Sequence, residues 1–341
     1  MVAVTEVVRF CTQDRYKTGK DMSKLSEKIV RDAFDARIAQ HLADNSYPGE
    51  KQSSSLKLWD DIDIDYFQQL PSTSQYLKEQ CDLKNTGSDT DRLAGNRSRV
   101  CIAARQTSGV GRRGNPWYSS ENCITFSILA ILDIPPASLG GLSLATGVAV
   151  AETLDDLCRT DLTLKWPNDV LAGRAKLCGI LTEIPQSSRQ RAAVVTGIGV
   201  NYVSDSHVHG KVDRSIATLQ ELTSADQQTP CQLPGREVVA GQLAADVLMA
   251  HQLFVDSGWQ AFADRFATLD ALANQRVSVS QDGSVHDGIA VGVAADGRLK
   301  VDIGGTVQCF AAGDVTLSRD LPAKTLTAKA STPQDLSLIH I

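Results

Sequence analysis

The chain has 341 residues, with 34 Lys and Arg against 40 Asp and Glu and a net charge of −6, so it offers no basic field for nucleic acid. Hydrophobic residues at 42% and charged residues at 22% are ordinary for a globular protein and exclude wholesale disorder. No uninterrupted apolar run approaches the roughly 20 residues of a membrane span, and Glu6 and Asp14 break up any leader-like pattern, so the expected compartment is the cytosol, with no membrane or nucleic-acid partner.

Residues 1–65 are polar and charged, with one amphipathic stretch over 22–42 of helical spacing. The acidic run Asp60, Asp61, Asp63, Asp65 that follows argues against a DNA-reading helix pair, and the segment is taken as an extension of unknown role. The catalytic unit is expected to begin near Tyr66. Residues 67–70 read as a strand, and Ser72 with Gln75 has the spacing of a capping box opening a helix through Leu77. A polar interval over 84–99 reads as a surface insertion before a strand at 100–104.

That strand delivers the loop Gln106-Thr107-Ser108-Gly109-Val110-Gly111-Arg112-Arg113-Gly114-Asn115-Pro116-Trp117. Glycines bring backbone N–H groups close to a ligand, two guanidinium groups suit phosphate or carboxylate, and Trp117 adds a flat apolar face. No Lys-Ser/Thr pair follows the glycines as in a Walker loop, and the third glycine of a dinucleotide fingerprint is missing at the required spacing. Taken alone, the loop is also compatible with a solvated turn.

A strand at 123–129 follows, then a helix over about 139–157, apolar all round and therefore expected to be buried. Residues 162–166 read as a strand stopped by Pro167-Asn168-Asp169, and 170–171 turns through Ala172-Gly173-Arg174 into 176–183, a hairpin. Another buried strand covers 193–201, and helices are expected over 237–254 and 259–266. From Asn274 the pattern changes to short β segments with Asp282-Gly283 and Asp296-Gly297 turns, which fits a small SH3-like barrel. Residues 320–341 are Thr/Ala/Ser/Pro-rich and expected to be disordered.

The eight cysteines, at 11, 81, 101, 123, 158, 178, 231 and 309, form no Cys-x-x-Cys pair and read as buried hydrophobes rather than metal ligands. His207-x-His209 reads as a solvated loop. No protein-held metal is expected.

Three further segments are expected to converge with the glycine loop on one sheet edge: Lys165-Trp166-Pro167-Asn168-Asp169, Lys176-Leu177-Cys178-Gly179-Ile180-Leu181-Thr182-Glu183 and Gly197-Ile198-Gly199-Val200-Asn201. Each alone is unremarkable, Asn168-Asp169 as a turn signal and Lys176 as a solvated strand lysine. In this order, with Ser72-Thr73-Ser74 upstream and a small β domain downstream, residues 66–319 resemble the biotin protein ligases, the biotin-carboxyl carrier protein ligases or holocarboxylase synthetases.

The resemblance implies an α+β fold: a mixed-sheet, class II synthetase-like catalytic domain of the biotin/lipoate ligase type over 66–272, then an SH3-like domain over 273–319 and a tail over 320–341. It implies two steps, in which biotin and Mg·ATP (ATP with Mg²⁺) give biotinoyl-5′-AMP and the amine of one lysine on a carboxyl carrier domain then takes the biotin. It assigns Ser72, Thr73, Ser74 and Gln106 to biotin's ureido ring. Gly109, Val110, Gly111, Arg112 and Arg113 cover the biotinyl chain and phosphate, and Trp117 stacks near the adenine. Lys176, with Gly179 beside it, meets the biotin carboxylate and α-phosphate. Lys165, Asn168 and Asp169 line the phosphate, Mg²⁺ and incoming-lysine side, and Asn201 helps hold the nucleotide. Lys176, Arg112, Lys165 and Asp169 are thereby the expected catalytic set. Bacterial relatives dimerise through sheet edges, so a homodimer is conceivable.

Two features depart from the family pattern: Val110 stands where a basic residue is common, and Asn115-Pro116 replaces a frequently basic pair. Two alternatives remain open from sequence. A lipoate or octanoate ligase or transferase shares the fold but carries a histidine-containing glycine segment not found here, and a biotin-dependent repressor would need a DNA-binding N-terminal domain.

Overall fold

The computed structural model describes residues 19–44, 58–60, 62–83, 98–205, 215–225, 232–311 and 313–317. The 84–97 interval, the His207/His209 pair, Cys11, Cys231 and the 320–341 tail lie outside them. The catalytic part is built on a seven-stranded sheet. Its strands are β1 (Asp63–Leu70), β2 (Arg99–Gln106), β5 (Cys123–Leu132), β9 (Ala192–Asn201), β8 (Ala175–Ser187), β7 (Asp169–Ala172) and β6 (Leu162–Lys165), in that spatial order. Only β1 and β2 run parallel; every other neighbour pair is antiparallel.

Alternation along the strands divides the sheet into two faces. One face carries Ile124, Phe126, Ile128, Val194, Ile198, Val200, Cys178 and Ile180 into the main core. It is covered by α3 (Leu142–Cys158) and α5 (Arg236–Ser257). Helix α5 is long and apolar enough to cross a membrane by composition, yet 83% of its apolar window is buried inside the protein. The other face holds a smaller cluster, Cys101, Leu129, Ile131, Ala193 and Val195, covered by Leu77 and Cys81 of α2 (Thr73–Leu83). Beyond α2 this second face is covered by Trp117 over Gly179 and Gly199, and the site lies there.

Described residues before 66 take part in this core. Helix α1 (Gly19–Ala43) lays Val30, Phe34 and Ile38 on α5. A Cβ on Gly241 would stand 2.5 Å from the Val30 carbonyl, so only glycine permits that approach. Asp246 of α5, 8% exposed, accepts from Arg37 Nε at 2.9 Å and from Thr153 Oγ1 at 2.6 Å, with His41 Nε2 at 2.7 Å. The second half of the acidic run opens β1: Ile62 and Ile64 are buried, while Asp63 is bonded by Arg99 at 2.9 Å. Alternating Asp and Ile is the period of a half-buried strand.

A short helix, α4 (Leu219–Ala225), precedes α5, and α6 (Gln260–Leu269) follows it. The C-terminal part is a five-stranded antiparallel sheet, β10 (Arg276–Gln281), β11 (Ser284–Val293), β12 (Leu299–Ile303), β13 (Thr306–Phe310) and β14 (Asp314–Leu317), ordered β13-β12-β11-β10-β14. It docks tightly. Trp166 Nε1 donates to the Gly297 carbonyl at 3.1 Å, and a Cβ on Gly140 would sit 2.4 Å from the Asp296 carbonyl.

Candidate active site

Residues of the open face pair across three central strands: Ser127 with Gly197, Thr125 with Gly199, and Gly199 with Gly179. The result is a patch of sheet almost without side chains, where a ligand can lie against backbone. Added Cβ atoms show how near the occupants come, at 2.7 Å from Ser74 Oγ for Gly197 and at 2.3 Å from the Trp117 ring for Gly199. A pocket of about 150 Å³ stands on this floor. It lies on the face of the sheet rather than at its edge, because the converging strands β9 and β8 are central in the strand order.

One end of the pocket is a hydroxyl and amide cluster. Ser72 caps α2, its Oγ accepting from Gln75 N–H at 3.3 Å, and this turns the first helical residues toward β5. Thr73 donates to Gln106 Oε1 from its N–H at 2.7 Å and from Oγ1 at 3.0 Å. Ser127 Oγ lies 2.7 Å from Thr73 Oγ1 and 2.9 Å from Ser74 Oγ. Fixed donors and acceptors at the end of a narrow slot suit a small polar ring whose hydrogen-bonding edge must be satisfied.

The opposite end is cationic. Lys176, 8% exposed, donates to Asp169 Oδ1 at 2.5 Å, and its Nζ lies 5.7 Å from the Trp117 ring centroid. A β-bulge at Leu177 of β8, the extra residue opposite Val170 and Leu171 of β7, places Lys176 there. It lets Leu177 and Cys178 both enter the core, so that Lys176 and Gly179, which simple alternation would put on opposite faces, share the open one. Asn201, buried, donates to the Lys176 carbonyl at 2.9 Å, and Lys176 N–H bonds the Ser215 carbonyl at 3.0 Å. The Lys176 backbone is therefore held on both edges.

The glycine loop closes the pocket as a small hairpin. β3 (Gly109–Val110) pairs with β4 (Pro116–Trp117), and the Gly111 N–H donates to the Asn115 carbonyl at 2.7 Å. Arg112 bonds Asn168 Oδ1 at 3.4 Å and the Gly313 carbonyl at 3.3 Å. Burial lowers the pKa of its guanidinium from the ordinary value, with Arg113 acting in the same sense and Asp314 and Asp169 opposing; a partly desolvated cation gains most from an incoming anion. Trp117 covers Gly199 and Gly179, and its buried Nε1 has no hydrogen-bond partner among the described residues.

Ser72, Thr73, Ser74, Gln106, Val110, Gly111, Arg112, Trp117, Asn168, Asp169, Lys176 and Gly179 all line this one pocket. Four expected residues do not. Gly109 is the hinge of the hairpin, where a Cβ would meet the Trp117 carbonyl at 2.6 Å. Arg113 turns away to Asp314 at 2.6 Å, and Lys165 faces a smaller recess beside Pro167, Asn168 and Asp169. Asn201 sits behind Lys176. Sequence reasoning missed Ser127, although Thr125 and Ser127 are polar at alternate positions of an otherwise apolar strand, and missed Asp314, for which the sequence holds no signal.

Comparison with known proteins agrees with this geometry. Residues 66–201 match the profile of the biotin/lipoate A/B protein ligase family. The biotin--[acetyl-CoA-carboxylase] ligase of Mycobacterium tuberculosis is 33% identical over 225 residues, 63% of this chain and 77% of that protein. The bifunctional ligase/repressor BirA of Escherichia coli is 29% identical over 250 residues, 73% of this chain and 72% of BirA. In fold, the chain is similar to the biotin protein ligase from Aquifex aeolicus in complex with biotin and ATP, with a TM-score of 0.59 at 23% identity, over 76% of this chain and 99% of the other.

Proposed function

The chain belongs to the biotin protein ligase family, and from that premise we propose that it joins biotin to a lysine of a carboxyl carrier domain at the expense of ATP. The observation that carries this reading is the division of a single pocket into a hydroxyl and amide end, Thr73, Gln106 and Ser127, and a cationic end, Arg112 and Lys176, across a glycine floor.

In the first half-reaction a biotin carboxylate oxygen attacks the α-phosphorus of Mg·ATP and pyrophosphate leaves, giving the mixed anhydride biotinoyl-5′-AMP. Negative charge builds on the phosphoryl oxygens, and Arg112 and Lys176 are the groups positioned to stabilise it. Lys176 is held by Asp169 at 2.5 Å, so a substrate anion shares or takes over that partner. Mg²⁺ enters as part of the nucleotide substrate, with Asp169 the carboxylate beside the cationic end. The pocket of about 150 Å³ is below the roughly 300–1,000 Å³ of ordinary ligand sites, and the Trp117 indole takes up the space over Gly199. Admitting a nucleotide therefore requires the hairpin and its indole to move, after which a purine can stack where the indole now lies.

In the second half-reaction a neutral lysine amine attacks the anhydride carbonyl, AMP leaves and the amine proton is lost. Lys165 and Asp169, directly opposite one another across the β6–β7 turn, stand on the side from which the carrier lysine would approach. The cytoplasm is the compartment this reading implies.

The test is incubation of the chain with biotin, Mg·ATP and an isolated carboxyl carrier domain, read by streptavidin blot, with lipoate replacing biotin in a parallel pyrophosphate-exchange assay. Labelling that needs all components supports the assignment. Exchange driven by lipoate and not by biotin would overturn it.

A further inference from the structure

We infer that Asp314 of the C-terminal sheet is a positioning residue for the phosphate-facing loop, and that by holding the loop arginines it sets how long the activated intermediate stays enclosed. The second clause rests on the ligase reading above; the first stands on geometry alone.

The two loop arginines reach across to the turn between β13 and β14. Arg113 Nη1 donates to Asp314 Oδ2 at 2.6 Å, Arg112 Nη1 lies 4.0 Å from Asp314 Oδ1, and both Arg112 Nη atoms lie 3.3 Å from the Gly313 carbonyl. Gly313, next to Asp314, is closely packed. Gly313 is buried at φ +154°, and a Cβ there would meet Val279 Cγ1 at 3.1 Å and the Ser280 carbonyl at 3.2 Å. The sheet that carries it is tied to the catalytic domain through Trp166 and Gly297, so Asp314 is a fixed post relative to the pocket floor.

Arg113 adopts φ 55° and ψ 28°, an uncommon left-handed conformation for a residue with a Cβ. Its side chain is directed at the Asp314 carboxylate, while Arg112 is left facing the pocket. Asp314 also lines that pocket, so the carboxylate neutralises Arg113 at the rim and keeps the loop tip down over the site. Both partners are about half exposed, 45% for Arg113 and 57% for Asp314, and an exposed pair is weak. The expected effects are therefore several-fold.

The experiment compares the full chain with Asp314→Asn, which removes the charge at constant size, and Asp314→Glu, which restores it. The first readout is the rate at which trypsin cuts after Arg112 and Arg113 without substrates, which follows the population of the open loop. Asp314→Asn is expected to be cut about 3–10-fold faster and Asp314→Glu within about twofold of wild type. The second is release of preformed biotinoyl-5′-AMP in a chase, expected to be about 3–10-fold faster in Asp314→Asn with the exchange kcat changed less. Wild-type cutting and release in Asp314→Asn, or equal damage in Asp314→Glu, would overturn the proposal. A wild-type chain that forms no adenylate from biotin would instead sink the ligase reading, and the trypsin comparison would still decide whether the tie exists.

Discussion

Replacing Gly199 with alanine tests whether the glycine floor is the nucleotide side of the pocket. The added Cβ would stand 2.3 and 2.4 Å from two Trp117 ring atoms and 2.9 Å from its Nε1. Comfortable contact lies at about 3.5–4.0 Å, so the indole has to retreat by more than about 1 Å. Gly199 sits in a regular strand, paired with Thr125 and Gly179, so alanine brings no backbone strain and even gains about 0.4–1 kcal/mol through the unfolded chain. The damage should therefore be confined to the occupant of that face. Misplacement of a stacking partner by about 1 Å loses up to about 100-fold in rate, and we expect kcat/KM for ATP in biotin-dependent pyrophosphate exchange to fall about 10–100-fold, or about 1.4–2.7 kcal/mol. Biotin affinity, by calorimetry, should stay within about twofold. Gly197→Ala is the mirror experiment: its Cβ would lie 2.7 Å from Ser74 Oγ, so it should weaken biotin and spare ATP. Unchanged ATP kinetics in Gly199→Ala, or a loss of biotin affinity in its place, would refute this division of the pocket.

Lys176→Ala should reduce adenylate formation by at least about 100-fold while leaving the fold intact by circular dichroism, and near-normal turnover would remove Lys176 from its role. Val110, 52% exposed on the pocket rim, adds no charge beside Arg112, so Val110→Arg should slow adenylate release several-fold in a chase; an unchanged rate would count against the loop being charge-limited. His251, buried with Nε2 3.1 Å from Thr146 Oγ1 and with no partner for Nδ1 among the described residues, has its pKa pulled down by burial from 6.5 to about 4. Below pH 6.5 the unfolded chain takes up a proton that the folded chain refuses until about pH 4, so stability present at pH 7 declines across that window, by up to about 3 kcal/mol. Denaturant midpoints at pH 7 and pH 4.5 should converge in His251→Gln, and an identical acid slope in wild type and variant would show that other groups set it.

Much of the framework was legible because local pattern and burial agree. The apolar runs at 123–129 and 193–201 lie in β5 and β9, and all but the first three residues of the apolar stretch at 139–157 lie in α3. The Asp282-Gly283 and Asp296-Gly297 turns join β10 to β11 and β11 to β12. The reading failed where pattern and chemistry pulled apart. The charge of the run from Asp60 to Asp65 argues only against DNA, whereas the Asp-Ile alternation of Asp63, Ile64 and Asp65 makes the first part of β1. Residues 22–42, left without a role, form the greater part of a helix whose Phe34 is 1% exposed, because its partner α5 lies some two hundred residues away along the chain.

What the sequence determined by itself was chemical inventory and order: a glycine loop with arginines, a lysine after a turn, paired glycines in a strand, and the family to which these belong. Tertiary structure decided which of them meet. A bulge in β8 brings Lys176 onto the open face against simple alternation, and the start of β14 in a separate sheet brings Asp314 to Arg113. Strand period and residue type are local properties of a chain, whereas a bulge and a contact between domains depend on partners that no local window contains.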